Sequence, residues 1–107
     1  MWKELCSFKD TIELPTNAYT AYKEIMFIVV TDTEVVGSIT LPVSLISGLE
    51  TGKYIYVNGW YCNSATNGMA RLYVSDKSKK WFSVNKNIYG SYMNGSFTDF
   101  NVAAYGR

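Results

Sequence analysis

Apolar and polar residues alternate along most of this chain with a period near two, and the 3.6-residue stripe of an amphipathic helix is missing. Residues 2–8 read as a first strand of mixed pattern, followed by a short apolar stretch at 12–14 that Pro15 stops. The clearest strand is 23–30, where Ile25 to Val30 is apolar on both faces, as expected of a central strand covered from two sides. Thr31, Asp32 and Thr33 then turn the chain into a strand at 34–41, in which Gly37 marks a bulge or kink. Residues 42–48 are too few for more than a helical turn.

The pattern is cleaner in the second half. In the strand at 53–57, Ile55 and Val57 share one face while Tyr54 and Tyr56 share the other. Asn58-Gly59 reads as a tight turn or a bulge, with 60–62 continuing beyond it. Residues 63–68 read as a loop. The strand at 69–75 then sets Ala70, Leu72 and Val74 on one face and Met69, Arg71 and Tyr73 on the other. A solvated turn at 76–80 precedes a strand at 81–84, Asn94-Gly95 punctuates a loop, and a period-two strand at 100–105 closes the series. About eight strands with mixed short and long connections predict an all-β domain. The architecture expected is a two-sheet antiparallel β-sandwich, jelly-roll-like, ahead of an immunoglobulin-like sandwich or a small barrel. Trp2, Phe8, Phe27, Phe82 and Phe100 are assigned to its core.

Composition narrows the chemistry. At 107 residues the chain, residues 1–107, is expected to form one domain, and 48% hydrophobic against 18% charged residues excludes a disordered one. Ten Lys and Arg against nine Asp and Glu leave a net charge of +1, which offers no electrostatic case for nucleic acid or an anionic membrane. The most apolar run, residues 25–30, falls well short of the roughly 20 residues of a membrane-spanning helix, so no membrane insertion is expected. His is absent, which removes imidazole as base, acid or metal ligand. The acidic residues are scattered singly, so no carboxylate pair faces a glycosidic bond. Cys6 and Cys62 without His cannot complete a four-ligand zinc site; they could form one disulfide, and in a reducing cytosol they read as free, partly buried thiols. Neither metal nor cofactor is expected, and the chain reads as non-enzymatic.

Binding is the remaining class. Nine tyrosines, three tryptophans and many Asn residues suit a surface that stacks on apolar ring faces and hydrogen-bonds hydroxyl groups. The candidate ligand contacts are Trp60, Tyr61, Asn63 and Asn67 around the 63–68 loop, with Tyr89, Tyr92 and Asn94 in the later loop. Tyr54 and Tyr56 suit a ligand or a subunit interface equally well.

Three segments carry a family resemblance: Tyr22-Lys23-Glu24-Ile25-Met26-Phe27-Ile28-Val29-Val30, the stretch from Gly37 to Pro42, and the ending Phe100-Asn101-Val102-Ala103-Ala104-Tyr105-Gly106-Arg107. Together they resemble the C-terminal head domains of bacteriophage and prophage tail-fibre, receptor-binding and minor structural proteins. The resemblance implies the tip of a longer tail protein, folded in the bacterial cytoplasm and carried on the virion. It implies an all-β homotrimer that contacts bacterial cell-surface polysaccharide or a protein receptor. Tyr54, Tyr56, Phe27 and Val29 then become candidate subunit contacts, since a second subunit would cover the two-sided strand. The family shares no residue-level binding motif, so the ligand contacts rest on the aromatic and amide residues alone. The alternatives are a purely structural trimerisation cap and a monomeric carbohydrate-binding module of a secreted enzyme.

Overall fold

A computed structural model describes the backbone of residues 1–62, 67–85, 87–89, 94–96 and 100–107, with side chains outside 58–69 and 86–99. Among the described residues ten strands and two one-turn helices follow one another: β1 (Lys3–Lys9), β2 (Thr11–Glu13), α1 (Ala18–Ala21), β3 (Glu24–Val30), β4 (Val35–Pro42), α2 (Val43–Ile46), β5 (Tyr54–Cys62), β6 (Asn67–Asp76), β7 (Trp81–Asn85), β8 (Asn87–Tyr89), β9 (Asn94–Ser96) and β10 (Asn101–Gly106). Two antiparallel four-stranded sheets pack face to face, so the chain is an all-β sandwich. The first sheet runs β1-β10-β3-β4 and the second β5-β6-β7-β2, with β8 and β9 forming a separate ribbon. Strands β3 to β7 follow one another as a meander. The crossed connections of the fold lie at its ends, where β10 inserts between β1 and β3 and β2 joins β7.

The alternation expected of β5 and β6 is observed, whereas Val102, Ala103 and Ala104 of β10 are all buried, so that strand does not alternate. Ile25, Phe27 and Val29 of β3 are fully buried, as are Ala70, Leu72 and Val74 of β6, while Phe82 and Val84 face them from β7. Phe27 of the first sheet meets Phe82 of the second with ring centroids 5.2 Å apart, tilted by 43°. Two corners let strands change sheets. Asp10 separates β1, on the edge of the first sheet, from β2, on the edge of the second. The other corner lies within β5. Its Asn58 and Gly59 pair with Ser38 and Gly37 of β4, whereas Tyr54, Ile55 and Tyr56 pair only with β6. A register shift between Tyr56 and Trp60 makes Asn58-Gly59 a bulge rather than a turn. Near Gly37 the bulge falls at Val36, because Val29 pairs with Gly37 and Val30 with Val35.

The β3–β4 turn is built by Thr31, whose hydroxyl accepts hydrogen bonds from the backbone N–H groups of Thr33 and Glu34. One end of the sandwich is closed by the two short helices, through buried Ala18 of α1 and buried Val43 and Ile46 of α2. Arg107 continues β10 alongside the start of β3. Its backbone bonds to Lys23 and Glu24, its Nε to Glu24 Oε1 at 2.5 Å, and its guanidinium lies 4.2 Å from the Trp2 ring centroid. Only glycine fits at 106, since a Cβ there would stand 2.7 Å from Tyr22 Cγ.

Several expectations are corrected. Phe8 is 43% exposed, because two register shifts between β1 and β10 break the alternation of this edge strand. Trp2 is half-buried, covered by Arg107 rather than by the core. Phe27 and Val29 are buried within their own chain, so neither is available to a second subunit; the opposite face of β3, with Met26, Ile28 and Val30, is the partly exposed one. Asn67 and Gly68 belong to β6, and Asn94 and Gly95 to β9, so strand pairing there overrides their turn preference.

Truncation distinguishes the two phenylalanines. Phe27→Ala should cost about 3–5 kcal/mol in denaturant unfolding, whereas Phe8→Ala should stay within about 0.5 kcal/mol. Burial also pushes the Tyr19 hydroxyl from its ordinary 10 up to about 12. The fold therefore favours protonated Tyr19, and that stabilisation is present below pH 10 and lost as pH rises through about 12. Absorbance titration of the phenolates should show a late component near 12 that Tyr19→Phe removes.

Candidate functional site

The alternation that buries Ile55, Leu72 and Phe82 sends their neighbours to the outer face of the second sheet. Antiparallel register then arranges those neighbours in rows. Thr11, Ser83, Tyr73 and Tyr54 lie side by side across β2, β7, β6 and β5, and Asn85, Arg71 and Tyr56 form the next row. Three tyrosines thereby gather into one platform. The Tyr54 ring lies 6.3 Å from Tyr56 at an interplanar angle of 41° and 6.2 Å from Tyr73 at 60°. The Arg71 guanidinium sits over the Tyr54 ring, 4.3 Å from its centroid. Asn85 Nδ2 donates to the Tyr54 hydroxyl at 3.3 Å. Tyr54 is thus held by a cation on its face and an amide at its tip, yet it remains 42% exposed, and Tyr56 is 52% exposed.

Hydroxyl groups extend the platform. Ser83, nearly buried, shares a 2.8 Å hydrogen bond with Thr11 Oγ1 and donates to Ser75 Oγ at 3.0 Å. Beside them lies an open hollow of about 590 Å³, lined by Asp10, Thr11, Gly52, Tyr54, Tyr73, Ser83, Val84 and Asn85. The far end of the face is pinned by Trp81, whose Nε1 donates to Glu13 Oε2 at 2.5 Å while Lys79 Nζ lies 4.6 Å from its ring centroid. Such a surface offers flat apolar rings flanked by an amide, a guanidinium and hydroxyl groups. It can stack on a sugar ring and hydrogen-bond its hydroxyls. Asp10 is the one carboxylate lining the hollow. Among the described residues, no group of three His, Cys, Asp or Glu side chains is placed to hold a metal ion, and no helix is long and apolar enough to cross a membrane.

The side chains of the ligand contacts expected from the sequence lie outside the described ones. Asn63 and Tyr92 lie outside the described residues. Trp60, Tyr61 and Asn67 lie on the paired ends of β5 and β6, and Tyr89 stands opposite Asn94 in the β8–β9 ribbon, with their side chains outside the description. The platform joins Tyr54 and Tyr56, which the sequence reading offered for a ligand or an interface, to Tyr73, Arg71 and Asn85, which it did not single out as candidates. Its signal lay in two alternations. Tyr54 and Tyr56 share one strand face, Arg71 and Tyr73 another, and pairing the two strands with their apolar faces inward brings all four together.

A second hollow, of about 550 Å³, opens at the β1–β2 corner around Cys6, Lys9, Glu13 and Trp81. The Cys6 thiol is free and donates to the Glu13 carbonyl oxygen at 2.8 Å. Burial raises it above the ordinary thiol range, with Lys9 pulling partly back.

Comparison with protein-family models, with curated proteins and with solved structures finds no match for this chain. Cys6 is expected to keep its proton through neutral pH. Peptide mapping should show iodoacetamide labelling of Cys6 slower at pH 8 than that of the same peptide unfolded, with the gap closing as pH rises.

Proposed function

We propose that this domain binds a bacterial cell-surface glycan without turning it over, as the receptor-contacting tip of a phage tail protein. The observation that carries the binding half is the platform of Tyr54, Tyr56 and Tyr73, braced by Arg71 and Asn85 on a rigid sheet. A site on strands arrives pre-organised, so little ordering entropy is spent when the ligand docks. The tilt of 41° between Tyr54 and Tyr56 suits a glycan whose successive rings are twisted rather than coplanar. The tail-tip half rests on the resemblance of residues 22–30, 37–42 and 100–107, and it carries with it assembly as a homotrimer.

Binding should be measured by calorimetry against purified cell-wall polysaccharide and capsular oligosaccharides. Tyr54→Ala and Tyr73→Ala should each weaken saturable binding about tenfold, equivalent to about 1.4 kcal/mol. Thermal unfolding of both variants keeps lost contact distinct from lost fold. Parental affinity in both variants would remove the platform as the site. Light scattering addresses the assembly, with a mass of three chains expected. A single-chain mass with intact glycan binding would favour an appended carbohydrate-binding module over the tail tip.

A further inference from the structure

The two hollows on the outer face of the second sheet belong to one track, because Thr11 lines both of them. On one side of Thr11 lies the hollow of about 590 Å³ that holds Tyr54, Tyr73 and Ser83. On the other side lies the hollow of about 550 Å³ that holds Trp81, Glu13, Lys9 and Cys6. Strand alternation keeps the track on a single face. Ile12, between Thr11 and Glu13, and Phe82, between Trp81 and Ser83, both point into the core, so their neighbours point out together. Aromatic rings thus stand at both ends of the track, with hydroxyl groups between them. Thr11 is exposed there, and its Oγ1 shares a 2.8 Å hydrogen bond with Ser83 Oγ.

The register fixes how far apart the two ends lie. Tyr54 pairs with Tyr73 and Tyr73 with Ser83, while Trp81 stands two strands over from Tyr54 and two residues along β7 from Ser83. At about 4.8 Å per strand and about 3.4 Å per residue, the backbones of Tyr54 and Trp81 are roughly 12 Å apart. One sugar ring cannot lie against both. The Trp81 indole is fixed in advance, since its Nε1 donates to Glu13 Oε2 and Lys79 Nζ lies 4.6 Å from its ring centroid. Asp10 and Glu13 lie along the same track as Arg71, Lys9 and Lys79, a mixture of signs rather than the one-sign stripe that an acidic chain would need. We infer that the track holds an uncharged oligosaccharide of several units, which runs from the tyrosine platform over Thr11 into the β1–β2 hollow, and that Trp81 stacks on a second sugar unit there. This rests on the reading of the platform as a glycan site. It adds the length and course of the glycan, its lack of charge and a second aromatic contact.

The probe is a ladder of neutral oligosaccharides, one to six sugar units long, cut from purified cell-wall polysaccharide and titrated by calorimetry. Affinity should keep rising beyond the disaccharide. Trp81→Ala should weaken the longest fragments about tenfold and leave the single sugar and the disaccharide unchanged. Trp81→Phe keeps a ring in place and should lose less, and thermal unfolding of both variants separates a lost contact from a lost fold. Cys6 supplies a readout that needs no variant, since it lines the second hollow. Its labelling by iodoacetamide should slow with the longest fragments and not with the disaccharide. Affinity that stops rising at the disaccharide would overturn the inference. So would parental affinity of the longest fragments in Trp81→Ala, or Cys6 labelling that no fragment slows. A ladder bearing uronic acid or phosphate should bind no more tightly than the neutral one, and tighter binding that salt abolishes would overturn the assignment to an uncharged chain. Tyr73→Ala should weaken every rung, short or long. That loss without any effect of Trp81 keeps the platform and removes the track, whereas parental affinity in Tyr73→Ala and Tyr54→Ala, or no binding by any rung, removes both.

Discussion

The contact of Phe27 with Phe82 is the constraint on which the other features rest. Each ring comes from a strand interior to its own sheet, and the two meet between the layers. Their burial brings the sheets into register and commits every neighbouring residue to a side. Once Phe82 points inward, Ser83 must point outward, and the row of Thr11, Ser83, Tyr73 and Tyr54 follows from strand pairing. The platform is in this sense the outer imprint of the core. A one-residue slip of β6 against β5 would bury Arg71 and expose Leu72, at a cost the fold cannot absorb.

The two sheets are joined at corners rather than by hairpins alone, and the corners are where cavities form. At the β1–β2 corner the chain closes on itself through the Cys6 thiol and the Glu13 carbonyl. At the β5 corner it does not, and the sandwich stays open between β4 and β5. The difference has a local cause. The bulge at Asn58-Gly59 turns the first half of β5 toward β6, which leaves β4 without a neighbour for its last residues. α2 covers the end of the gap by burying Val43 and Ile46, while Leu45 is left at the rim. Tyr54 and Tyr56 of the platform also line an apolar cleft of about 330 Å³ between β4 and β5, with Ile39, Leu41, Leu45 and Ile55.

Much of this was legible before any coordinates. A continuous apolar run marked β3, and period-two alternation in β5 and β6 sorted Ile55 and Val57 from Tyr54 and Tyr56, since a side chain in a strand has only two faces to choose between. The same rule failed for Phe8, because an edge strand with two register shifts no longer alternates. It also misled at Asn67-Gly68 and Asn94-Gly95, where local turn preference yields to pairing with a neighbouring strand. β3 looked two-sided because its outward residues are apolar as well, yet Phe27 and Val29 lie wholly within their own chain.

The sequence by itself determined the class of fold and most of the strands that build it, because hydrophobic periodicity is a local property. Tertiary structure alone decided which residues became neighbours. Tyr54 and Tyr73 lie far apart along the chain and become a pair only through the β5–β6 register. Asn85 reaches Tyr54 across a third strand, and the gap between β4 and β5 exists only because one bulge sends β5 into the other sheet. Pairing partners and bulge positions depend on how the whole core packs, and no single segment encodes that.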